Sequence, residues 1–412
     1  MKRVVVTGIG IWSCIGQDLN TVTDNLIKGK SGIIFDPQRI NVGLQCGIVG
    51  NIPIPDIRQY LPRKNRATMS IDSTFAYMAS KQAFHQALID KTYISTNEIG
   101  ILFGNDCNTS VVETAETLNK NQDSLFIGTS ALFKNATSSI TMNLSTIFKL
   151  KGINLTIGAA CSSSSHAIGL STILIRNGLQ NIILTGGSCE TEIYQNAPTD
   201  AIQALSLNNN NPMKASRPFD RDRDGMVPSG GAAALVLEEY EHAKARGANI
   251  LAEVVGYGFS SNGIEDISAP SADAEYIAMK RALDDAGIKP EEVDYVNAHA
   301  TSTIQGDIEE AKALTKLFGT KSKKQGAKTP WISSTKSMTG HENWMAGASE
   351  AVYSILMMQN NFVAPNLNLE NVIDEAKGLR IARETIYTPV NTVLSNSSGM
   401  GGTNSALVFR KI

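Results

Sequence analysis

The sequence predicts an α/β fold of layered sheets and helices, and three observations carry that expectation. Strand-like runs alternate with helix-like runs in both halves. Reactive-looking residues stand just past strand ends. Each half closes near a glycine-rich element. The 412 residues, 42% hydrophobic and 18% charged, suffice for a large core and for two domains or one that is duplicated. Each half opens with a strand entering a polar turn, so a duplication is plausible, although no sequence repeat is close enough to prove it.

Taken in order, Arg3 to Thr7 reads as a buried strand and GIGIWSCIG as a glycine-broken loop. The GxGxxxxxG spacing of that loop is not the dinucleotide-binding GxGxxG. Asn20 to Lys28 reads as a helix, and Pro53, Pro55 and Pro62 mark an irregular stretch. A long helix is expected next, with Ile71, Phe75, Met78 and Ala79 on one face. Glu98 to Gly104 is a strand, and residues 105–150, rich in Asn, Thr and Ser, read as a polar insert. In the second half, GGAAALVLEE is a buried strand, Glu238 to Arg246 a charged helix and Ile250 to Gly258 a strand. Ala272 to Ala286 is a helix closed by Gly287, Val293 to Ala298 a strand and Ile308 to Leu317 a helix. Trp331 to Ser334, Thr392 to Asn396 and Ser405 to Phe409 complete the strands. A helix fills the second half of TKSMTGHENWMAGASEAVYSILMMQ.

The stretch from Ile153 to Gly187 organises the rest. β-Branched residues to Ile157 form a strand, Gly158-Ala159-Ala160 removes bulk, and Cys161 follows. Four serines, good helix openers, lead into a helix that stops at Asn177-Gly178, and Asn181 to Thr185 is the next strand. Cys161 thus stands on a strand-to-helix turn at the positive end of a helix, which favours a thiolate and aims N–H groups at an anion beside it. A small buried hydrophobe is the other reading of the same residue.

Composition excludes several function classes. The formal net charge of -2 gives no support for a nucleic-acid partner. Five cysteines without a CxxC pair fit a reducing cytoplasm, and no stretch approaches the roughly 18 apolar residues of a membrane span. No metal site is expected. Among five histidines, His299 in NAHATST and His341 in STKSMTGH lie in polar turns shortly after strands. Either alone reads as a hydrogen-bonded structural histidine. With Cys161 they make a nucleophile and two imidazole donors, the set that carbanion or oxyanion chemistry needs.

The chain resembles, over nearly its whole length, the β-ketoacyl-acyl-carrier-protein synthases of the thiolase superfamily, in particular the synthase II-like elongating enzymes. The resemblance runs through VVVTGIG, AACSSS, KASRPFDRDRDG, LVLEEYEHAKARGA, NAHATST, STKSMTGH and SNSSGMGGTN. It implies an αβαβα sandwich of two similar halves, 1–255 with Cys161 and 256–412 with both histidines. It also implies a homodimer, or a heterodimer with a related subunit. No bound cofactor is implied, since the phosphopantetheine arm of acyl carrier protein delivers both substrates. By resemblance, Cys161 takes the acyl chain, and His299 and His341 promote malonyl decarboxylation and hold the enolate oxygen. Lys336 matches the family's active-site lysine and Glu350 the carboxylate that orients this network. Backbone N–H groups of Cys161 and Met400 would form the oxyanion hole, with Gly399, Gly401 and Gly402 permitting the close approach. Thr301 and Thr303 match hydroxyls that contact the pantetheine arm. Arg63, Lys64 and Arg66 match a carrier-protein docking patch, or are simply a solvated helix start.

Four departures bear on specificity. The family's NSFGFGGTN is NSSGMGGTN here, so the aromatic gate positions are Ser398 and Met400. LLGAAGA after the histidine is Glu342-Asn343-Trp344-Met345-Ala346-Gly347-Ala348, NAHGTST carries Ala300, and GEGAG is Ser229-Gly230-Gly231-Ala232-Ala233. The gate change predicts a looser pocket mouth that accepts bulkier or stiffer chains. Fatty-acid elongation and a specialised polyene or aryl polyene or polyketide pathway both fit. A non-catalytic chain-length-factor-type partner would lack Cys161.

Overall fold

The computed structural model describes residues 1–319 and 329–412. Ten strands form one sheet: β1 (Val4–Trp12), β2 (Gly100–Gly104), β3 (Asn154–Ile157), β4 (Ile182–Cys189), β5 (Gly231–Glu239), β6 (Ala252–Ser261), β7 (Tyr295–Asn297), β8 (Trp331–Ser333), β9 (Thr392–Gly399) and β10 (Thr403–Arg410). Their spatial order is β8-β7-β9-β10-β6-β1-β5-β4-β2-β3. The first five strands pair as β1-β5-β4-β2-β3, with two antiparallel pairings followed by two parallel ones. The second five repeat this as β6-β10-β9-β7-β8, with the same directions. The sets meet where β1 lies antiparallel to β6, at Val5 with Glu253 and Val6 with Ala252. The duplication expected from the sequence is therefore a repeat of topology. Residue 255, expected as the boundary between halves, lies within β6.

Five long helices complete the layers: α1 (Ile71–Gln86), α2 (Ser163–Arg176), α3 (Ala272–Ala286), α4 (Ile304–Phe318) and α5 (Ala346–Asn360). α1 covers β1 and β5 from outside, and α3 covers β6 and β10 with α4 beside it. α2 and α5 pack together between the two sets, α2 on β4 and β2, α5 on β5 and β9. The result is the expected αβαβα sandwich. Its central core joins Val6 and Ile9 of β1, Ile168 of α2, Val352 and Ile355 of α5, and Leu407 and Phe409 of β10. Burying α5 on nearly every side, from Ala346 to Met358, explains why its sequence is apolar all round.

Three expectations need correction. GIGIW is strand, not loop: a Cβ at Gly8 would lie 2.1 Å from the Ala83 oxygen, and at Gly10 2.0 Å from the Ala79 oxygen. These glycines let α1 press on β1, so they mark close packing and not a turn. Residues 105–150 are largely helical, with Ser110–Asn121, Ala131–Asn135 and Ser139–Phe148. Glu238 and Glu239 end β5, and the helix after them is only Tyr240–Ala245. Glu238 is fully buried and held by Thr7, His242 and Arg246, so its charge did not signal a solvated helix.

Candidate active site

β3 ends at Ile157, and a single 3-10 turn, Ala160–Ser162, carries Cys161 into α2. Ala160 has φ +46°, a left-handed value that costs an ordinary residue roughly 1 to 2 kcal/mol. Ser163 braces it: its hydroxyl donates to the Ala160 oxygen at 2.6 Å and accepts from the Ala159 N–H at 2.8 Å. The serines expected to cap α2 do other work. Ser162 caps no N–H of the helix; its hydroxyl bonds the Ala159 oxygen. Ser164 accepts from the Ala348 N–H at 3.0 Å, and Ser165 meets Ser405 at 2.7 Å. The serine run therefore fastens the Cys161 turn to α5 and to β10.

The strand-end turn after β7 delivers His299. Its N–H and that of Ala300 donate to the two oxygens of Glu310 on α4, at 2.7 and 2.6 Å, and Asn396 Nδ2 donates to the same carboxyl at 2.8 Å. Farther along, Ser302 adopts φ +72° and donates its N–H to Asp307 at 3.1 Å. Asp307 also accepts from the Phe219 N–H, and the Ser302 hydroxyl accepts from the Arg217 N–H. The KASRPFDRDRDG motif thereby clamps this turn. Thr301 and Thr303 hold their hydroxyls 3.0 Å apart.

His341 follows a helical turn, Lys336–Thr339, and Gly340 at φ +70°. Its N–H donates to Val227 at 2.7 Å and its carbonyl accepts from Ser229 at 2.9 Å, so the altered Ser229-Gly230-Gly231 segment still holds this histidine. His341 Nε2 lies 3.0 Å from Cys161 Sγ. The His299 ring stands edge-on to the His341 ring, centroids 5.3 Å apart. Behind them Lys336 forms an ion pair with Glu350, each 1% exposed.

Burial pushes both imidazoles well below their ordinary pKa, and the Lys336 charge pushes the same way. Both rings are therefore neutral at physiological pH, and a neutral ring donates one N–H while its other nitrogen accepts. Burial raises the Glu350 carboxyl to about 7, against the pull of Lys336. Cys161 departs from the expected stable thiolate. Burial pushes its thiol up to about 11, outweighing the Met400 N–H, the Lys336 charge and its own N–H, all of which pull it down. The resting sulfur is a thiol. The N–H groups of Met400 and Cys161, both expected in the oxyanion hole, are among the influences that pull this thiol down. Gly401 and Gly402, both at φ +83°, turn the chain back to present Met400.

A cavity of about 490 Å³ opens onto Cys161, His299 and His341, with Thr301, Thr303 and Met400 in its wall. Met400 is 48% exposed at its mouth. Ser398 is different: Glu275, reaching in from α3 and only 2% exposed, lies against it. Ser398 and Met400 thus both line the cavity, Met400 at its exposed mouth and Ser398 deeper, against Glu275. Arg63 and Lys64 project into solvent from the short turn Arg63–Arg66, while Arg66 Nε donates to the Leu61 oxygen at 3.1 Å. Among the described residues no group of three or more His, Cys, Asp or Glu is placed to hold a metal, and no helix is long and apolar enough to cross a membrane.

Sequence reasoning missed Glu310, Asp307 and Glu275, because acidic residues in a helical run read as a solvated face. Glu310→Ala leaves three N–H groups without their acceptor. It is expected to cost about 3 kcal/mol of stability and to lower condensation at least roughly tenfold, while acyl loading of Cys161 persists. Thermal melts and separate loading and condensation assays check this.

Residues 1–243 match the family model "Beta-ketoacyl synthase, N-terminal domain", and residues 251–370 match "Beta-ketoacyl synthase, C-terminal domain". The chain is 38% identical over 416 residues to 3-oxoacyl-[acyl-carrier-protein] synthase 1 of Escherichia coli K12, covering 100% of both proteins. It is 34% identical to 3-oxoacyl-[acyl-carrier-protein] synthase 2 of Vibrio cholerae, covering 100% of this chain and 99% of that one. The crystal structure of a β-ketoacyl synthase from Burkholderia phymatum superposes with TM-score 0.92 at 33% identity, covering 100% of each chain. From motif to topology to full-length similarity the observations converge: the chain belongs to the β-ketoacyl synthase family and is a condensing enzyme.

Proposed function

We propose that this chain elongates acyl chains by decarboxylative Claisen condensation, with Cys161 as nucleophile. The observation that carries this reading is the meeting, at one cavity, of the Cys161 sulfur, His341 Nε2 at 3.0 Å from it, and the His299 ring edge-on to His341. Cys161 loses its proton as its sulfur attacks the thioester of an acyl-carrier protein. The N–H groups of Cys161 and Met400 hold the oxyanion, and the pantetheine thiol leaves with a proton. Malonyl-carrier protein then enters past Thr301 and Thr303. Its bond to the carboxylate breaks, carbon dioxide leaves, and the enolate oxygen is held by N–H donors of His299 and His341. The enolate carbon bonds to the acyl carbon, the Cys161 sulfur departs as a thiolate that takes up one proton from solvent to regain its resting thiol, and β-ketoacyl-carrier protein is formed. Neutral imidazoles suit this role because a charged pair would have to be desolvated beside Lys336.

Arg63 and Lys64, exposed cations on the short turn Arg63–Arg66, fit an acidic carrier protein. We further read the chain as a cytoplasmic homodimer that uses no bound cofactor. Fatty-acid elongation is the leading pathway. The synthase II-like subtype has the weaker support, since the type 1 relative is 38% identical and the type 2 relative 34%. One observation favours a polyene or polyketide pathway as the second reading: the gate residue is a half-exposed, flexible Met400.

The test is mass spectrometry of products formed from malonyl-carrier protein with saturated and with polyenoyl primers. The expected product is two carbons longer than its primer. Met400→Phe is expected to lower use of the stiff primer roughly tenfold relative to the saturated one, since a ring blocks the channel that Met opens. Absence of any elongated product overturns the assignment, and equal effects on both primers overturn the gate.

A further inference from the structure

Glu275 is the buried acid of the pocket that the condensation steps leave unused. It stands in the first turn of α3, lines the cavity and is 2% exposed. Its Oε2 and the Ser398 Oγ are both buried, and although the serine lies against the carboxyl and acts on it, neither atom makes a hydrogen bond of ordinary geometry. Burying polar atoms unpaired costs on the order of 1 to 3 kcal/mol each, so their presence together in a substrate cavity calls for an occupant. They also replace an apolar environment, because Ser398 stands where the family pattern has an aromatic ring.

The surroundings define the occupant's chemistry. The groups acting on Glu275 are Glu310, Glu309 and Asp307, all acidic, and the Ser398 hydroxyl. No cation is among them, so an anionic substituent would be repelled. Burial and the three acidic neighbours raise the Glu275 carboxyl well above its ordinary value, against the pull of the Ser398 hydroxyl, which leaves it an O–H donor with a second oxygen able to accept. Ser398 adds a second hydroxyl of the same dual character. A neutral oxygen satisfies such a pair, and a methylene does not.

We propose that Glu275 and Ser398 form a hydrogen-bonding subsite in the pocket wall that takes a neutral oxygen, hydroxyl or carbonyl, carried by the substrate. The inference rests on the condensing activity proposed above and deepens it by naming a substrate class. The subsite shares its cavity with Cys161, His299 and Thr301, so the oxygen can come from the acyl primer or from the extender. Glu310 links it to the reaction centre, since that carboxyl also lines the cavity and holds the His299 N–H. A polar substrate group bound here sits next to the element that fixes the enolate donor.

The test measures kcat/KM for matched substrate pairs in wild type, Glu275→Leu, Glu275→Gln and Ser398→Ala. One arm compares an acyl-carrier protein primer with its hydroxyl-bearing analogue, using malonyl-carrier protein. The other holds the primer fixed and compares malonyl- with hydroxymalonyl-carrier protein. In one arm the wild type is expected to favour the oxygenated member about 10- to 100-fold, and that arm identifies the source of the oxygen. Glu275→Leu is expected to bring the ratio to about one, Ser398→Ala to lower it severalfold, and Glu275→Gln to retain most of it, because an amide still donates and accepts. A ratio near one in the wild type in both arms overturns the subsite. So does a ratio that Glu275→Leu leaves unchanged, which would make Glu275 a space-filling group. The ratio is read within each variant, so a general loss of fold does not mimic the effect. Products in all arms with no discrimination refute the subsite alone, whereas no product in any arm refutes the condensation reading as well.

Discussion

Cys161→Ala is expected to abolish acyl transfer, a loss on the order of 10⁴-fold or more. No other described cysteine has comparable surroundings. Cys46 and Cys189 are buried, and neither Cys14 nor Cys107 lines the cavity that holds the two imidazoles. The substitution removes one sulfur and leaves the brace between Ala160 and Ser163 intact, so the turn should keep its shape. Malonyl decarboxylation is expected to survive in this variant, because His299 and His341 remain. Stable labelling of the alanine variant by a radiolabelled acyl-carrier protein would remove Cys161 from the mechanism.

The two histidine variants should separate the half-reactions unequally. His299→Ala is expected to keep acyl loading and to lose roughly 100- to 1000-fold in condensation, the usual cost of one oxyanion donor. His341→Ala should lose a similar factor in condensation and also load more slowly, because its Nε2 touches the sulfur at 3.0 Å. The sequence alone gave no reason for that asymmetry. Acidity supplies a further check. Both histidines are held neutral in the folded protein, below the ordinary value of about 6.5. Condensation should therefore change less than about twofold through imidazole protonation between pH 8 and pH 6. Stability should fall as pH drops below 6.5, where the unfolded chain takes up protons that the folded one refuses. Loading and condensation rates measured across pH, with thermal melts, test both statements. A condensation rate that halves repeatedly between pH 7 and pH 6, and does so equally in Glu350→Gln, which removes the carboxyl that titrates at about 7, would contradict neutral imidazoles.

Much of this site was legible because its chemistry sits on short, local signals. A bulk-free turn before Cys161, a helix after it, and histidines in turns after strands are readable from neighbours in sequence. The alternation of strands and helices likewise gave the layered class. What escaped were features that depend on distant partners. Gly8 and Gly10 read as a loop until α1 is placed across them. Glu238 reads as a solvated charge until Arg246 and Thr7 close around it. Ser164 and Ser165 read as helix openers until α5 and β10 arrive to be held. Glu310 and Glu275 were hidden for the same reason: each acts across the layers, on His299 and Ser398, from helices whose local pattern is simply amphipathic. The Cys161 thiol shows the limit of a local argument about charge. A helix start favours the thiolate, but the depth of the surrounding protein raises the thiol to about 11.

The measurement that tests the central claim most directly is a pulse and chase on the wild-type protein. Acyl-carrier protein with a labelled primer is added alone, and the enzyme is digested and mapped by mass spectrometry. Malonyl-carrier protein is then added to a second portion. The expected result is one acyl group on the peptide that carries Cys161, discharged on the chase into a product two carbons longer, with one carbon dioxide released per turnover. An acyl group on any other residue, or a label on Cys161 that malonyl-carrier protein does not discharge, would contradict the account.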